Sequence, residues 1–333
     1  MNKQEILKKT GRVSQICGAR EMQCTSGKAA GTRFIQVFNG ALEFGVTPDK
    51  CMDIFDLRYR GINFSFQTKN GLVGNQFYSA LNDEFSDYWG AGMMCTCGLE
   101  NTGQSSIADG RVLPLHGRIG MTPAENVCVK QYWDGDDYKI HLSGQMRETR
   151  VEGQDLLLTR NITTSMYSNE VTIHDTLENQ DVNPFDFMIL YHTNFGYPFV
   201  DKETEFDTGG AVVTPRTQYA AGFVDSVARF EDAIDNEEEK VFFHDVKPGP
   251  DGMSRARIVN PRLGLGAEVV YSYDTLPVLT QWKSYRSGDY VMGVEPGNSY
   301  IMGRTEETEN GTIKTIAAGE TLEFKVILKF FED

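Results

Sequence analysis

The stretch "LEFKVILKF", residues 322–330, decides the fold class. It sets Leu322, Phe324, Val326, Leu328 and Phe330 on one side of an extended chain and Glu323, Lys325 and Lys329 on the other. An apolar residue at every second position is what a half-buried antiparallel strand requires. Only Ile327 departs from the pattern. Working outward, "YKIHLSG" (138–144) alternates in the same way, with Tyr138, Ile140 and Leu142 inward, and the acidic turn "DGDD" (134–137) joins it to "VKQYW" (129–133) as a hairpin. Further β-like runs are "RFIQVF", "LEFGV", "LLLTRNIT", "EVTIHDTL", "FDFMILYH", "KVFFHDV", "AEVVYSY" and "VLTQWKSY", separated by Gly, Asn and Asp turns. Apart from a short helix expected over residues 2–9, sustained helical periodicity is missing. Many short strands without intervening helices predict an all-β sandwich or barrel and argue against a βαβ fold.

Length and charge narrow the rest. The 333 residues fit one large β domain spanning 1–333, with 1–30 as an N-terminal extension. The 47 acidic against 32 basic residues give a net charge of −15, which repels phosphate backbones and anionic lipid, so nucleic acid and membranes are not expected partners. Six scattered cysteines do not make a disulfide framework, and reduced thiols are expected. The N-terminal "MNKQEILKKTG" lacks the apolar core of a signal peptide, and no apolar run approaches the roughly 20 residues of a membrane span. A cytoplasmic protein is the expectation. The acidic run "EDAIDNEEEK" (231–240) reads as a solvated loop.

Common catalytic signatures are missing: the sequence has no G-x-S-x-G, H-E-x-x-H, Walker loop or G-x-G-x-x-G. "CTC" (95–97) lacks zinc-knuckle spacing and reads as small core residues. Of five histidines, His141 and His174 fall on the polar sides of their strands, and His244 lies beside Asp245 near a turn. His116 in "LPLHGRIG" (113–120) is followed by Gly117 and Arg118, which offers donors beside a closely approachable backbone. His192 ends the apolar run "FMILY" (187–191), with Asn194 on the same face. Taken alone it reads as a core histidine. Glu295 in "GVEPGN" (293–298) also follows an apolar strand, and Pro296 is expected to halt pairing after it.

"LPLHGRIG", "LYHTNFGYPF", "TQWKSY" and "GVEPGN", with "PDKCMDI" and "GAGMMCTCGLENTG" upstream, resemble the aldose 1-epimerase (galactose mutarotase-like) superfamily over about residues 30–330, in particular its poorly characterised aldose 1-epimerase-like branch. The resemblance implies a β-supersandwich of large antiparallel sheets and a sugar pocket in which a glutamate base and a histidine acid interconvert anomers. By position Glu295 matches the catalytic glutamate, His192 the catalytic histidine and His116 the sugar-binding histidine. Arg118 departs from the position of the family's sugar-binding arginine, Thr193-Asn194-Phe195 stands where those members carry Tyr-Phe-Asn, and their hydroxyl-binding aspartate has no assigned counterpart.

Ring opening of a hemiacetal needs one base and one acid, so no metal or cofactor need be invoked. A nearby carboxylate is expected to raise the His192 pKa while Glu295 stays ionised. Arg118, His116, Asn194, Gln281 and Lys283 are candidate hydroxyl-binding residues, and Trp282 offers a flat apolar surface or packs in the core. Alternation sets Gln281 and Lys283 opposite Trp282. The leading reading is a mutarotase of a free aldose or simple derivative. The alternatives are a mutarotase of a phosphorylated or anionic sugar, with Arg118 and Lys283 as anion site, and a non-catalytic carbohydrate-binding or regulatory protein; a glycosidase would need a second paired carboxylate. Oligomeric state is left open.

Overall fold

The computed structural model describes residues 2–81, 84–108 and 110–333. Two large antiparallel sheets stack face to face. The smaller has eight strands in the order Glu205–Asp207, Met253–Asn260, Leu265–Ser272, Thr321–Glu332, Glu170–Asn179, Asp155–Ser165, Asp137–Thr149 and Glu125–Asp134. The strand read first from the sequence therefore lies near its centre, with Phe324, Val326, Leu328 and Phe330 buried. The hairpin expected at 134–137 is present, Asp134 pairing with Asp137.

The larger sheet has twelve strands. Its centre runs Asp53–Tyr59, Met94–Leu99, Phe185–Gly196, Asp289–Gly297, Val278–Arg286 and Lys240–Asp245. One face packs on the smaller sheet through Phe187, Ile189, Tyr191, Val294, Leu279 and Tyr285, all part of one continuous core. Such double burial explains why "FMILY" is an unbroken apolar run: both faces of that strand need apolar side chains. The opposite face buries Leu190, Cys97, Val241 and Phe243 in a second, smaller cluster.

At the N-terminus a helix spans Lys3–Lys9. The Asn2 side chain accepts the N–H of Glu5 while the Glu5 carboxylate accepts that of Asn2, a reciprocal cap that fixes its start. The Gly18–Gln23 strand, within the expected extension, joins the edge of the large sheet against Arg33–Phe38. No helix among the described residues is long and apolar enough to cross a membrane, and the cysteines are free thiols.

Candidate active site

The register of the larger sheet creates the site. Leu190 pairs with Gly297 and Thr193 with Val294, which sets His192 directly opposite Glu295 on the adjoining strand. On its other side His192 pairs with Cys95, and Glu295 pairs with Thr280. Directly opposed side chains lie about 5 Å apart at Cβ, so a histidine and a glutamate separated by about a hundred residues become neighbours by backbone pairing alone. Pro296 does not halt the strand: it pairs with Leu279, and Gly297 pairs with Val278. Glu295 therefore projects from within a ladder and not from a turn.

His192 Nδ1 and Glu295 Oε1 are 3.3 Å apart, with the side chains 6% and 1% exposed. Neither atom has a hydrogen-bond partner among the described residues. The contact has the distance of a hydrogen bond without its alignment. Orphaned polar atoms at such depth are costly, and they need a ligand or a neutralising proton shift. Gly293 makes room for the carboxylate: a Cβ there would stand 2.2 Å from Glu295 Oε1.

The pair lies on a cavity of about 620 Å³ that also exposes His116, Trp89, Trp282, Phe85 and Phe66. This volume falls within the range of small-molecule sites. The His192 ring is 5.4 Å from Trp89, 5.5 Å from Trp282 and 5.3 Å from His116, centroid to centroid. Phe85 packs on both Trp89 and His116, and Phe66 meets Trp282 edge-on. Aromatic walls over a polar floor suit a guest with apolar C–H faces and a hydroxylated rim.

Burial governs the charges. Desolvation pushes the Glu295 carboxyl well above the usual range, Glu239 adds to the shift, and Arg216 opposes it. Desolvation pushes His192 well below the ordinary imidazole value, with His116 adding to the shift and Asn194 opposing it. The expectation that the carboxylate would raise the histidine pKa is corrected, because both groups are desolvated together and each favours its neutral form. Burial, followed by Arg216, lowers His116 to about 4. Its Nδ1 accepts the N–H of Gly103 at 3.2 Å, so the neutral ring carries its proton on Nε2 as a donor.

The sequence-derived candidates separate into two groups. His116, His192, Trp282 and Glu295 border one cavity. Arg118 does not: its guanidinium binds Glu100 at 2.7 Å and the Val112 carbonyl. Gly117 serves the fold, its missing Cβ allowing the Gly98 and Asn101 carbonyls to approach. Gln281 and Lys283 point into the space between the sheets, as alternation requires. Gln281 contacts His244 and the Val227 carbonyl, and the Lys283 ammonium binds the carbonyls of Ser226, Val227 and Arg229. The pairing of Arg118 and Lys283 as an anion site is therefore corrected. Asn194 is fully buried beside His192 and donates to the carbonyls of Gly92 and His192.

Arg216, Glu239 and Trp89 border the cavity without having been singled out in the sequence. Arg216 Nη2 donates to Glu239 Oε1 at 2.9 Å, and the Trp282 indole N–H donates to Glu239 Oε2 at 2.9 Å. The solvated-loop reading of 231–240 fails at its C-terminal end, where Glu239 enters this wall and Lys240 is buried against Tyr219, Phe223 and Tyr285. Among the described residues, no three His, Cys, Asp or Glu side chains converge as a metal ion would need.

A model of a family described as a domain of unknown function, DUF4432, matches residues 29–330. The chain belongs to the DUF4432 family. A search of curated proteins gives no match. Among solved structures, a provisionally assigned aldose 1-epimerase of Klebsiella pneumoniae superposes with a TM-score of 0.91 at 25% identity, covering 100% of this chain and 87% of that one. A galactose mutarotase-like protein of Clostridium acetobutylicum gives 0.66 at 12% identity over 96% and 100% of the two chains. A galactose 1-epimerase of Lactobacillus acidophilus gives 0.60 at 12% over 95% and 99%. The latter two likenesses concern the fold. This DUF4432 chain thus has the galactose mutarotase-like β-supersandwich, in agreement with the resemblance drawn from its sequence motifs.

Proposed function

We propose that the protein is a sugar mutarotase, opening and reclosing the hemiacetal ring of an aldose by acid–base catalysis at His192 and Glu295. The observation that carries this reading is the pair of buried titratable atoms, without a partner among the described residues, 3.3 Å apart on the floor of an aromatic-walled cavity. Together the two groups hold one exchangeable proton. A sugar hydroxyl donating to Glu295 stabilises its carboxylate and leaves the proton on the imidazole. Glu295 then takes the anomeric proton, and His192 delivers one to the ring oxygen. Rotation about the bond between the first two carbons presents the other aldehyde face, and the groups exchange roles on closure. Each positioned group contributes about 10²- to 10⁴-fold, so the pair supplies roughly 5 to 11 kcal/mol if the effects combine fully. His116 Nε2–H serves as a hydroxyl donor, and Trp89 and Trp282 take the C–H faces.

The test is to dissolve a pure anomer and follow its anomeric proton signals with wild type, Glu295→Gln and His192→Ala. Each variant is expected to lose at least about 10²-fold in equilibration rate. Binding of sugar without acceleration by wild type would refute the catalytic reading and identify a carbohydrate-binding protein.

A further inference from the structure

The cavity wall carries two cations, and each is committed to an acid on the same wall. Arg216 Nη2 meets Glu239 Oε1 at 2.9 Å, and Lys69 Nζ meets Asp289 Oδ2 at 2.7 Å. Glu295, which burial pushes toward its neutral form, lies on the same wall. Both histidines are shifted toward their neutral forms. The wall therefore offers an anionic guest no uncompensated positive charge among the described residues. The two cations are unequal, the Arg216 side chain being 14% exposed and Lys69 68%, while both acids are part-exposed, Glu239 at 47% and Asp289 at 31%, so solvent screens each pair on at least one side.

Glu239 is also fixed in place. One of its oxygens takes the Arg216 guanidinium and the other the Trp282 indole N–H. Only one side-chain N–H of Arg216 goes to Glu239, so the remaining donors of its planar fork lie beside an acceptor-rich carboxylate. The Arg216 N–H groups not given to Glu239 and the remaining lone pairs of the Glu239 oxygens lie side by side, and a donor beside an acceptor suits adjacent sugar hydroxyls, each of which both gives and receives a hydrogen bond. A phosphate or carboxylate would gain the guanidinium and meet Glu239 with like charge.

We propose that Glu239 is a specificity-determining residue: by neutralising Arg216 it makes the cavity select uncharged sugars over phosphorylated or carboxylated ones, and the Arg216–Glu239 pair reads two neighbouring hydroxyls. This rests on the cavity being the sugar site. It assigns the substrate's charge class and places the control in one removable carboxylate.

The test uses titration calorimetry at low salt on matched triplets of free aldose, 6-phosphate and uronate derived from glucose, galactose and mannose. Wild type is expected to bind the free aldose at least about ten-fold tighter than its charged relatives in the triplet it binds best. Glu239→Gln keeps a polar side chain of similar size and releases the guanidinium, and it is expected to move that ratio by roughly ten-fold or more toward the charged sugars. Arg216→Gln in the same background should abolish the gain. Trp282→Phe removes the indole N–H bond to Glu239 and shrinks the ring that faces His192 and Trp89, so it is expected to weaken all members of a triplet alike and leave the ratio in place, which separates charge control from wall packing. A wild type that prefers a charged sugar, a Glu239→Gln variant with an unaltered ratio, or binding of no triplet member overturns the proposal. If Glu295→Gln equilibrates anomers as fast as wild type, the mutarotase reading falls, while the affinity ratios still decide the role of Glu239.

Discussion

Tyr191 and His192 are neighbours in sequence, both are almost wholly buried, and they look into opposite worlds. Behind the sheet, the Tyr191 hydroxyl donates to Asp175, which is held by Arg160 through Nε and Nη2. Arg160 Nη1 reaches Asp53 and the Cys51 carbonyl, and Asp53 in turn accepts the Thr96 N–H and hydroxyl. The charges in this cluster are paired and hydrogen-bonded. In front, His192 Nδ1 and Glu295 Oε1 have no hydrogen-bond partner among the described residues. Burial does not tell these two clusters apart; hydrogen-bond satisfaction does. A satisfied buried network holds one conformation, whereas an unsatisfied one waits for a guest.

The contrast is most directly broken by exchanging its two halves. Arg160→Met strands two buried carboxylates and is expected to cost about 3 to 5 kcal/mol, read as a fall in Tm and in denaturation midpoint. Glu295→Gln should leave the melting transition in place or raise it while slowing anomer equilibration by about 10²- to 10⁴-fold. Equal effects of both variants on stability would remove the distinction.

Glu148 sharpens the comparison because it is a buried carboxyl with partners, accepting the N–H groups of Leu99 and Glu100. Burial, then the neighbouring Glu100, raises its pKa from 4.5 to about 7. The folded state thus holds this proton more tightly than the unfolded chain. Its contribution to stability is complete below pH 4.5 and is lost as pH climbs to about 7, about 3 kcal/mol over that interval. Glu148→Gln, which stays uncharged, is expected to flatten that part of a stability-against-pH curve. An unchanged slope would place the linkage elsewhere.

Gly293→Ala tests how finely the front face is set. The added methyl must displace the Glu295 carboxylate it would meet at 2.2 Å, without altering any titratable group. A loss of roughly 10- to 10²-fold in equilibration rate is expected, with little change in Tm. The smallest effect concerns pH. Burial pushes Glu295 up and His192 down, so the singly protonated pair spans a wide interval. Turnover is expected to stay flat through neutral pH, and a narrow bell centred near the ordinary histidine pKa would contradict it.

Much of the scaffold was legible because a period of two survives wherever one face of a strand meets the core. The 322–330 and 138–144 strands show it plainly. Strands buried on both faces, such as Phe185–Gly196, show an apolar run instead, and their partners cannot be named from the run. His192 and Glu295 were found by motif context, while their direct opposition depends on a register that no local pattern encodes. Trp282 was separated from Gln281 and Lys283 by simple alternation. Arg118 looked equal to His116 in the same motif, yet Glu100, which captures it, lies eighteen residues upstream. Glu239 was concealed in an acidic run that is mostly exposed, Glu239 included, and Arg216 at a strand end carries no periodic signal.

The direct opposition of His192 and Glu295 has one more consequence. The reacting pair faces across two paired strands at the middle of the sheet, whereas Arg216 and Glu239 sit at the two ends of one connection, 216–239, that joins Val212–Pro215 to Lys240–Asp245 at its edge. The connection can therefore be rebuilt for a different guest while the backbone pairing keeps the proton-transfer spacing, although its charges still reach Glu295.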